Sequence, residues 1–149
     1  MPLSKFALTV RRARATDAPR LAELSAQLGY PVSPREMATR LKLVLGEKKA
    51  ACFVVEKKSA GVIGWIQVST LPLIESAPRA EVNGLIVEEK IRSQGAGWAL
   101  LQAAEDWARK HRCKSMSVRS NVIRDRAHAF YERHAYEHYK TQKAFRKTL

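Results

Sequence analysis

Two neighbouring stretches decide the fold: the β-rich run Ala80-Glu-Val-Asn-Gly-Leu-Ile-Val87, and shortly after it Arg92-Ser-Gln-Gly-Ala-Gly97. A helix-like run starts at Trp98, so the glycine-rich segment joins a predicted strand to a predicted helix. Glycine lets backbone N–H groups approach a ligand closely. The unpaired first-turn N–H groups and the dipole of the following helix suit a phosphate or diphosphate. Arg92 adds a cation that can pair with phosphate oxygens.

The glycines alone are weak evidence, because Gly95 and Gly97 could simply ease a loop into a helix. A dinucleotide-binding fingerprint would need a third glycine, with an acidic residue about 20 residues further on. A Walker loop would need Gly-Lys-Ser or Gly-Lys-Thr. Neither follows here, since Gly97 leads into Trp98-Ala-Leu100.

A specific family pattern does fit. The spacing R-x-x-G-x-G after an L-x-V strand end resembles the acetyl-CoA-binding motif of the GCN5-related N-acetyltransferases. Asn121, followed by Ala127-His-Ala-Phe-Tyr131-Glu-Arg-His-Ala-Tyr136, is similar to that superfamily's second signature, N…A…(F)Y-E-x-x-G-(F/Y). Ala135 stands where glycine is usual, a departure that affects the turn after the helix. Together the signatures span residues 80–136.

The predicted order of elements, β-α-α-β-β-β-α-β-α-β, also matches this superfamily. Residue pattern and turn residues predict strands over 7–12, 50–57, 62–70, 80–87 and 115–120, and one long strand or two short ones over 136–147. The resemblance implies an α/β fold with a mixed, mostly antiparallel central sheet flanked by helices on both faces. It also implies that the sheet is splayed between the strand at 80–87 and the strand at 115–120. Length predicts one domain over residues 1–149.

The two helices before the second strand have their own signals. Thr16-Asp17 offers an N-cap, and Leu21, Leu24 and Leu28 form an apolar stripe. Ser33 and Glu36 have capping-box spacing at the start of the next helix. That helix is expected to turn four residues inward: Met37, Leu41, Val44 and Leu45.

The resemblance implies acetyl-CoA as the cosubstrate. Its pantetheine would pair with the strand backbone as an extra strand, and a backbone N–H in residues 85–87 would polarise the thioester carbonyl. Arg92 and the N–H groups of 94–98 would hold the diphosphate. Asn121 is explained equally well as a turn or helix cap, and Leu85 and Val87 can also be core residues. The predicted cofactor contacts are Leu85, Ile86, Val87, Arg92, Ser93, Gln94, Gly95, Ala96, Gly97, Trp98, Asn121, His128 and Tyr131.

Two residues are predicted to be catalytic. Tyr131 stands where the family usually places the general acid, and a phenol with a pKa of about 10 suits a departing thiolate. The alternative is a core tyrosine on a helix. Glu81 is the predicted base, acting directly or through water, because a carboxylate in an otherwise apolar strand is costly unless it has a partner. Alternation would place Glu81 on the same face as Asn83 and Leu85; the alternative is a solvated or salt-bridged strand residue.

The composition bounds the class of protein. Cys52 and Cys113 lack metal-ligand spacing, so free thiols in a reducing compartment and no bound metal are expected. Neither cysteine lies at a motif position, which favours direct transfer over an acyl-enzyme. No signal-peptide pattern or bilayer-length apolar stretch appears, so the expected location is the cytoplasm, with no membrane partner.

The leading interpretation is an enzyme that transfers the acetyl group of acetyl-CoA to a primary amine, on a small molecule or on a protein lysine or N-terminus. The net charge of +13 disfavours polycationic acceptors and favours polyanions. A nucleic-acid-binding module is therefore an alternative, but its interleaved aromatic and basic residues or known signatures are absent, which argues against nucleic acid as a partner. A family member that binds coenzyme A without catalysis is a third interpretation. A homodimer stays open.

Overall fold

The computed structural model describes residues 7–92 and 94–149, which form two compact units that divide after Val118. The strands of the first unit are β1 (Leu8–Arg12), β2 (Ala50–Lys57), β3 (Gly61–Leu71), β4 (Arg79–Val87) and β5 (Ser115–Val118). Its α-helices are α1 (Ala18–Gln27), α2 (Pro34–Leu45) and α3 (Ala96–Lys110). The second unit, Arg119–Leu149, contains α4 (Asp125–Arg133). A single domain over residues 1–149 stays a prediction.

The five strands of the first unit form one mixed sheet in the order β1-β2-β3-β4-β5. Pairing is antiparallel from β1 to β4 and parallel between β4 and β5. On one face, Val54 and Trp65 pack with Leu21 of α1 and Leu41 of α2. On the other face, Leu100 of α3 lies against Gly64. The predicted sheet with helices on both faces is therefore confirmed.

The first two helices begin in different ways. Asp17 is the N-cap residue of α1, but its side chain makes no cap hydrogen bond to that helix. The Asp17 carboxylate accepts a hydrogen bond from the Arg14 N–H at 2.7 Å and pairs with the Arg11 guanidinium at 2.9 Å, which ties β1 to the start of α1. The Ser33 hydroxyl accepts from the Glu36 N–H at 3.1 Å, as the capping-box spacing predicts. Leu45 is an exception to the predicted inward stripe, because it lies in the last turn of α2 and is exposed.

The sheet opens on one side of β4. Only Arg79–Val82 of that strand pairs with β5, and β5 ends at Val118 rather than at the predicted residue 120. From Asn83 to Val87, no strand of the described chain pairs with β4 on this side. The two strands thus separate as predicted, and the carboxyl-terminal half of β4 is left unpaired on this side.

The second unit differs from the prediction at its end. The predicted strand over 136–147 is wrong, because the chain has neither helix nor strand from 136 to 149. Every residue from Glu137 to Leu149 is exposed, so the segment lacks the half-buried face that stabilises a strand.

Candidate active site

A β-bulge shapes β4 at the centre of the site. Gln67 of β3 pairs with Gly84, but the next residue, Val68, pairs with Val82, so Asn83 is the extra residue on β4. Residues opposite each other in an antiparallel pair point to the same face. The bulge therefore reverses the alternation of β4, as the pairing on either side of it shows.

Because of this bulge, the prediction that Glu81 lies on the same face as Leu85 is wrong. Glu81 pairs with Ser69, which lies on the same face as Gln67 and its partner Gly84. Leu85 pairs with Ile66 and so lies on the opposite face. Glu81 thus shares a face with Gly84 rather than with Leu85, because simple alternation does not hold across the extra residue.

Gly84 is required by close packing. A Cβ atom at this position would lie 2.8 Å from Cη2 of Trp65, closer than real Cβ contacts. The indole of Trp65 packs against the hydrophobic cluster under α1 and α2. The ring therefore packs against the backbone directly after the bulge, where a residue without a Cβ atom leaves room for it.

Polar side chains gather on the Glu81 face of this bulge. The Ser69 hydroxyl donates a hydrogen bond to Oδ1 of Asn83 at 2.8 Å. Glu81 pairs with Ser69 across the strands and is half-buried. A carboxylate, an amide and a hydroxyl in one place can accept hydrogen bonds from an ammonium or amine group.

The loop after β4 is held by α1 through contacts that the sequence does not reveal. The carboxylate of Glu88 accepts hydrogen bonds from Gln27 at 2.9 Å and from Arg20 at 2.8 Å. The hydrogen bond from Gln27, assisted by the Arg20 ion pair, lowers the pKa of Glu88. The Gln27 side chain also accepts from the Glu89 N–H at 3.1 Å. These contacts fix the path of the chain into the glycine turn.

The glycine turn leads into α3 through a left-handed residue. Gly95 has φ +88° and is the N-cap of α3, which begins at Ala96 and not at Trp98 as predicted. The first hydrogen bond of the helix runs from the Ala99 N–H to the Gly95 carbonyl at 3.0 Å. The N–H groups of residues 95–98 precede that bond, so this helix end has the donor arrangement that suits an anion.

The cation of this turn, Arg92, points back along β4. Its Nε donates to the Val87 carbonyl at 3.4 Å. Within residues 7–92 and 94–149, no carboxylate lies at ion-pair distance from Arg92. Its charge is thus not neutralised by a described acidic group. Ser93, the next predicted contact, lies outside the described residues.

In the second unit, Tyr131 is held by the turn that ends α4. The Tyr136 N–H donates to the Tyr131 carbonyl at 3.0 Å, and the Ala135 N–H donates to the Glu132 carbonyl at 3.2 Å. This is a Schellman motif, and the rings of Tyr131 and Tyr136 lie 5.8 Å apart as its apolar contact. Burial raises the pKa of Tyr131 to about 12. The phenol therefore stays protonated at neutral pH and is a weaker acid than the predicted value of about 10 implies.

Asn121 and His128 have local structural roles in the same unit. Oδ1 of Asn121 accepts from the Ile123 N–H at 3.2 Å, which makes Asn121 a turn residue. Nε2 of His128 lies 2.8 Å from the Asn121 carbonyl and donates to it. The alternative interpretation of Asn121 as a turn cap is thereby supported, and cofactor contact by either residue stays a prediction.

No helix of the described chain combines the length and apolarity needed to cross a membrane. Among the same residues, no group of three or more His, Cys, Asp or Glu side chains is arranged to hold a metal ion. Burial raises the pKa of the Cys52 thiol to about 12, and it also raises the pKa of Cys113.

Comparison with known proteins gives the family. The chain is 26% identical over 133 residues to the aminoglycoside N(6')-acetyltransferase type 1 of Stenotrophomonas maltophilia, covering 87% of this chain and 86% of the relative. It is 25% identical over 136 residues to the uncharacterized N-acetyltransferase YhfO of Bacillus subtilis, covering 87% and 90%. The fold matches the aminoglycoside N-acetyltransferase AAC(6')-Iy solved with CoA, with a TM-score of 0.84, 17% identity and 95% coverage of both chains.

The family model for the acetyltransferase (GNAT) family matches residues 18–136, a span that includes both of the signatures read from the sequence. That match covers more than half of the chain and confirms the predicted family and enzyme class. The protein belongs to the acetyltransferase (GNAT) family.

Proposed function

We propose that this enzyme transfers the acetyl group of acetyl-CoA to a primary amine, by direct attack of the amine in a ternary complex. The observation that carries the proposal is the left-handed Gly95 at the start of α3, which follows shortly after a strand with an open edge. Diphosphate and pantetheine need these two features in this order: a helix end that offers N–H groups, and an unpaired strand.

The open half of β4 supplies the backbone for the thioester end of the cofactor. A pantetheine amide can add to Asn83–Val87 as an extra strand, since no described strand pairs there. After the bulge at Asn83, residues 84–87 pair regularly with β3, so this half of β4 offers its backbone groups on the opposite side only. A backbone N–H of residues 85–87 then polarises the thioester carbonyl, a contribution of about 10²–10³ in rate for one donor.

Direct attack is favoured by the state of both cysteines. A thiol acts as a nucleophile only as the thiolate. Because burial raises the pKa of Cys52 to about 12 and also raises that of Cys113, little thiolate is present at neutral pH. An acyl-enzyme on either sulfur would have a poor nucleophile, so the amine itself attacks the thioester.

The proton transfers are assigned to Glu81 and Tyr131. Glu81, on the bulge face with Asn83, takes a proton from the ammonium form of the acceptor, directly or through water. Tyr131 gives its phenolic proton to the sulfur as the C–S bond breaks, and the proton that the attacking nitrogen loses on forming the amide restores the phenol. The raised pKa of Tyr131 keeps it protonated before this step, and protonation of the leaving group avoids release of a free thiolate.

The acceptor is a primary amine on a small molecule, or a protein lysine or N-terminus. The Ser69, Glu81 and Asn83 cluster supports an amine bearing further polar groups, because these side chains accept several hydrogen bonds. Aminoglycosides are a second candidate, on the specific ground that a curated relative carries that name. Against them stands the net charge of +13, which repels a polycation.

A thermal-shift titration with CoA and acetyl-CoA tests cofactor binding, followed by an amine panel in which thiol release is measured. The variant Arg92→Ala with Gly97→Glu should abolish the cofactor-induced shift, since it removes the cation and puts a carboxylate in the first turn of α3. The panel should include aminoglycosides, polyamines, amino acids and lysine peptides. Thiol release with no amine would contradict transfer to an amine.

The matched control carries the same charge change elsewhere. Arg35→Ala with Gly46→Glu alters two exposed positions of α2 and its C-cap, where a Cβ meets only ordinary contacts. This variant should keep the full cofactor-induced shift. If both double variants keep the shift, the diphosphate does not bind at residues 92–98.

The base assignment has its own test. Glu81→Gln should lower kcat about 100-fold or more, the contribution of a general base, with little change in CoA affinity. Glu75→Gln, in the exposed loop before β4, is the control and should leave kcat unchanged. A Glu81→Gln enzyme with the wild-type kcat would rule out the base role.

A further inference from the structure

Lys57 lies at the same end of the sheet as the glycine turn. It is the last residue of β2 and pairs with Leu8 on one side and Gly61 on the other. Val55, Gly64 and Val87 form a row across three strands, so β2 and β4 end together. The β2–β3 hairpin therefore projects beside the loop that follows β4.

The Lys57 ammonium contacts that loop directly. Its Nζ donates a hydrogen bond to Oε1 of Gln94 at 3.0 Å, across 37 positions of sequence. Gln94 lies between Arg92 and the left-handed Gly95. The contact thus brings a second cation, from a different element, to the segment whose N–H groups are arranged to suit an anion.

The nearby carboxylates are engaged by other cations. Glu56, the neighbour of Lys57 in sequence, pairs with Arg11 at 2.7 Å. Glu88 pairs with Arg20 at 2.8 Å. Over the described ranges 7–92 and 94–149, no ion pair involves Lys57. The ammonium has two further N–H donors besides the one given to Gln94.

We propose that Lys57 binds the diphosphate of coenzyme A, together with Arg92 and the N–H groups at the start of α3. Arg92 approaches from the end of β4, where its Nε contacts the Val87 carbonyl, and Lys57 approaches from the β2–β3 hairpin. Gln94 holds the ammonium in place while its other protons face the phosphate oxygens. The inference rests on the proposed cofactor site and adds a residue outside both sequence signatures.

The test compares two adjacent lysines by titration calorimetry. Lys57→Gln should raise the Kd of CoA about tenfold, the loss expected for one charge-assisted hydrogen bond. Lys58→Gln makes the same change in net charge at an exposed position of the hairpin turn, and should change the Kd less than about twofold. Lys57→Arg keeps the charge and should recover most of the affinity.

Two further measurements separate this role from others. Dephospho-CoA keeps the diphosphate and lacks the 3'-phosphate, so Lys57→Gln should raise its Kd by the same factor as it raises that of CoA. If Lys57→Gln leaves the Kd of dephospho-CoA unchanged, Lys57 contacts the 3'-phosphate instead, and the proposal is overturned. Gln94→Ala should weaken binding less than Lys57→Gln. If Gln94→Ala equals Lys57→Gln and the double variant adds nothing, Lys57 acts only by holding Gln94, and the proposal is overturned.

The outcome also separates this inference from the proposed function. A wild-type enzyme that binds no CoA would overturn both. A wild-type enzyme that binds CoA, with equal Kd values for Lys57→Gln and Lys58→Gln, would overturn the Lys57 inference alone. Melting temperatures of the two variants within a few degrees of wild type, as expected for surface substitutions, show that the folded state is being titrated.

Discussion

The turn that begins α3 and the turn that ends α4 both contain a residue with positive φ, but they use it differently. Gly95 has φ +88° and has no Cβ atom, so a ligand can approach the backbone N–H groups closely. Ala135 has φ +68° and carries a Cβ, which is strained in this conformation. The role proposed for the first turn belongs to its backbone N–H groups. The second turn holds Tyr131, whose carbonyl accepts the Schellman hydrogen bond and whose side chain is the proposed acid.

The ends of α1 and α3 show that Schellman hydrogen bonds form whether or not the residue with positive φ is glycine. At the end of α1, Gly29 with φ +86° makes the same Schellman pattern, with the Tyr30 N–H bonded to the Ser25 carbonyl at 3.1 Å. At the end of α3, Arg112 does so with φ +61°. The motif accepts a side chain at a cost in stability, so alanine in place of the family's usual glycine is expected to weaken the fold and spare the chemistry.

The largest expected effect comes from the side chain that the second turn holds. Tyr131→Phe should lower kcat at least about 100-fold, because a general acid contributes about 10²–10⁴ in rate. The Kd of CoA, measured by calorimetry, should change little. Phe130→Leu is a useful neighbour control that keeps the phenol. An unchanged kcat for Tyr131→Phe would show that the tyrosine only packs, and the contrast between the two turns would be lost.

Gly95→Ala tests the backbone role of the first turn. The added Cβ meets nothing within 4 Å, so the cost is the left-handed φ, about 1–2 kcal/mol. If binding must restore that conformation, the Kd of CoA should rise about tenfold. Gly29→Ala has the same open space and nearly the same φ, and should lower stability without changing the Kd. Equal Kd values in all three proteins would show that the ligand does not need this turn.

Ala135→Gly should raise the free energy of unfolding by about 1 kcal/mol, because it relieves the left-handed strain at the end of α4. The opposite effect is expected at Ala129, an exposed helical position in α4, where glycine should cost about 1 kcal/mol. Urea denaturation measures both variants. A lower stability for Ala135→Gly would mean that unfolded-chain entropy outweighs the strain.

The smallest effect concerns pH. The folded-state pKa of Tyr131 is raised to about 12, above an unfolded value of about 10. The buried neutral phenol therefore contributes stability that is fully present below pH 10 and is lost as the pH rises toward 12. Unfolding free energies at pH 9 and pH 11 should fall more in wild type than in Tyr131→Phe. Parallel losses in the two proteins would contradict burial of the phenol.

Much of the fold follows from local sequence signals. β-rich runs bounded by turn residues predict β2, β3 and β4, and the capping-box spacing of Ser33 and Glu36 predicts the start of α2. The signals fail where long-range pairing decides the structure. The bulge at Asn83 depends on how β3 pairs with β4, so alternation places Leu85 on the wrong face. The final segment has strand-like residues but exposes nearly all of them.

The candidate site divides in the same way. The glycine turn can be predicted from the sequence, because a left-handed N-cap and a close backbone approach both favour glycine. The side-chain contacts that support the site cannot be predicted from the sequence. Arg20 contacts Glu88 across 68 positions, and Lys57 contacts Gln94 across 37. Such pairs have no periodicity and involve residue types common on any surface. Only the fold brings them together.

The most direct measurement is a crystal structure of the enzyme with bound coenzyme A. We expect diphosphate oxygens about 2.7–3.2 Å from the backbone nitrogens of residues 95–98, with pantetheine along Asn83–Val87. A bound cofactor whose diphosphate lies away from residues 92–98 would contradict this expectation.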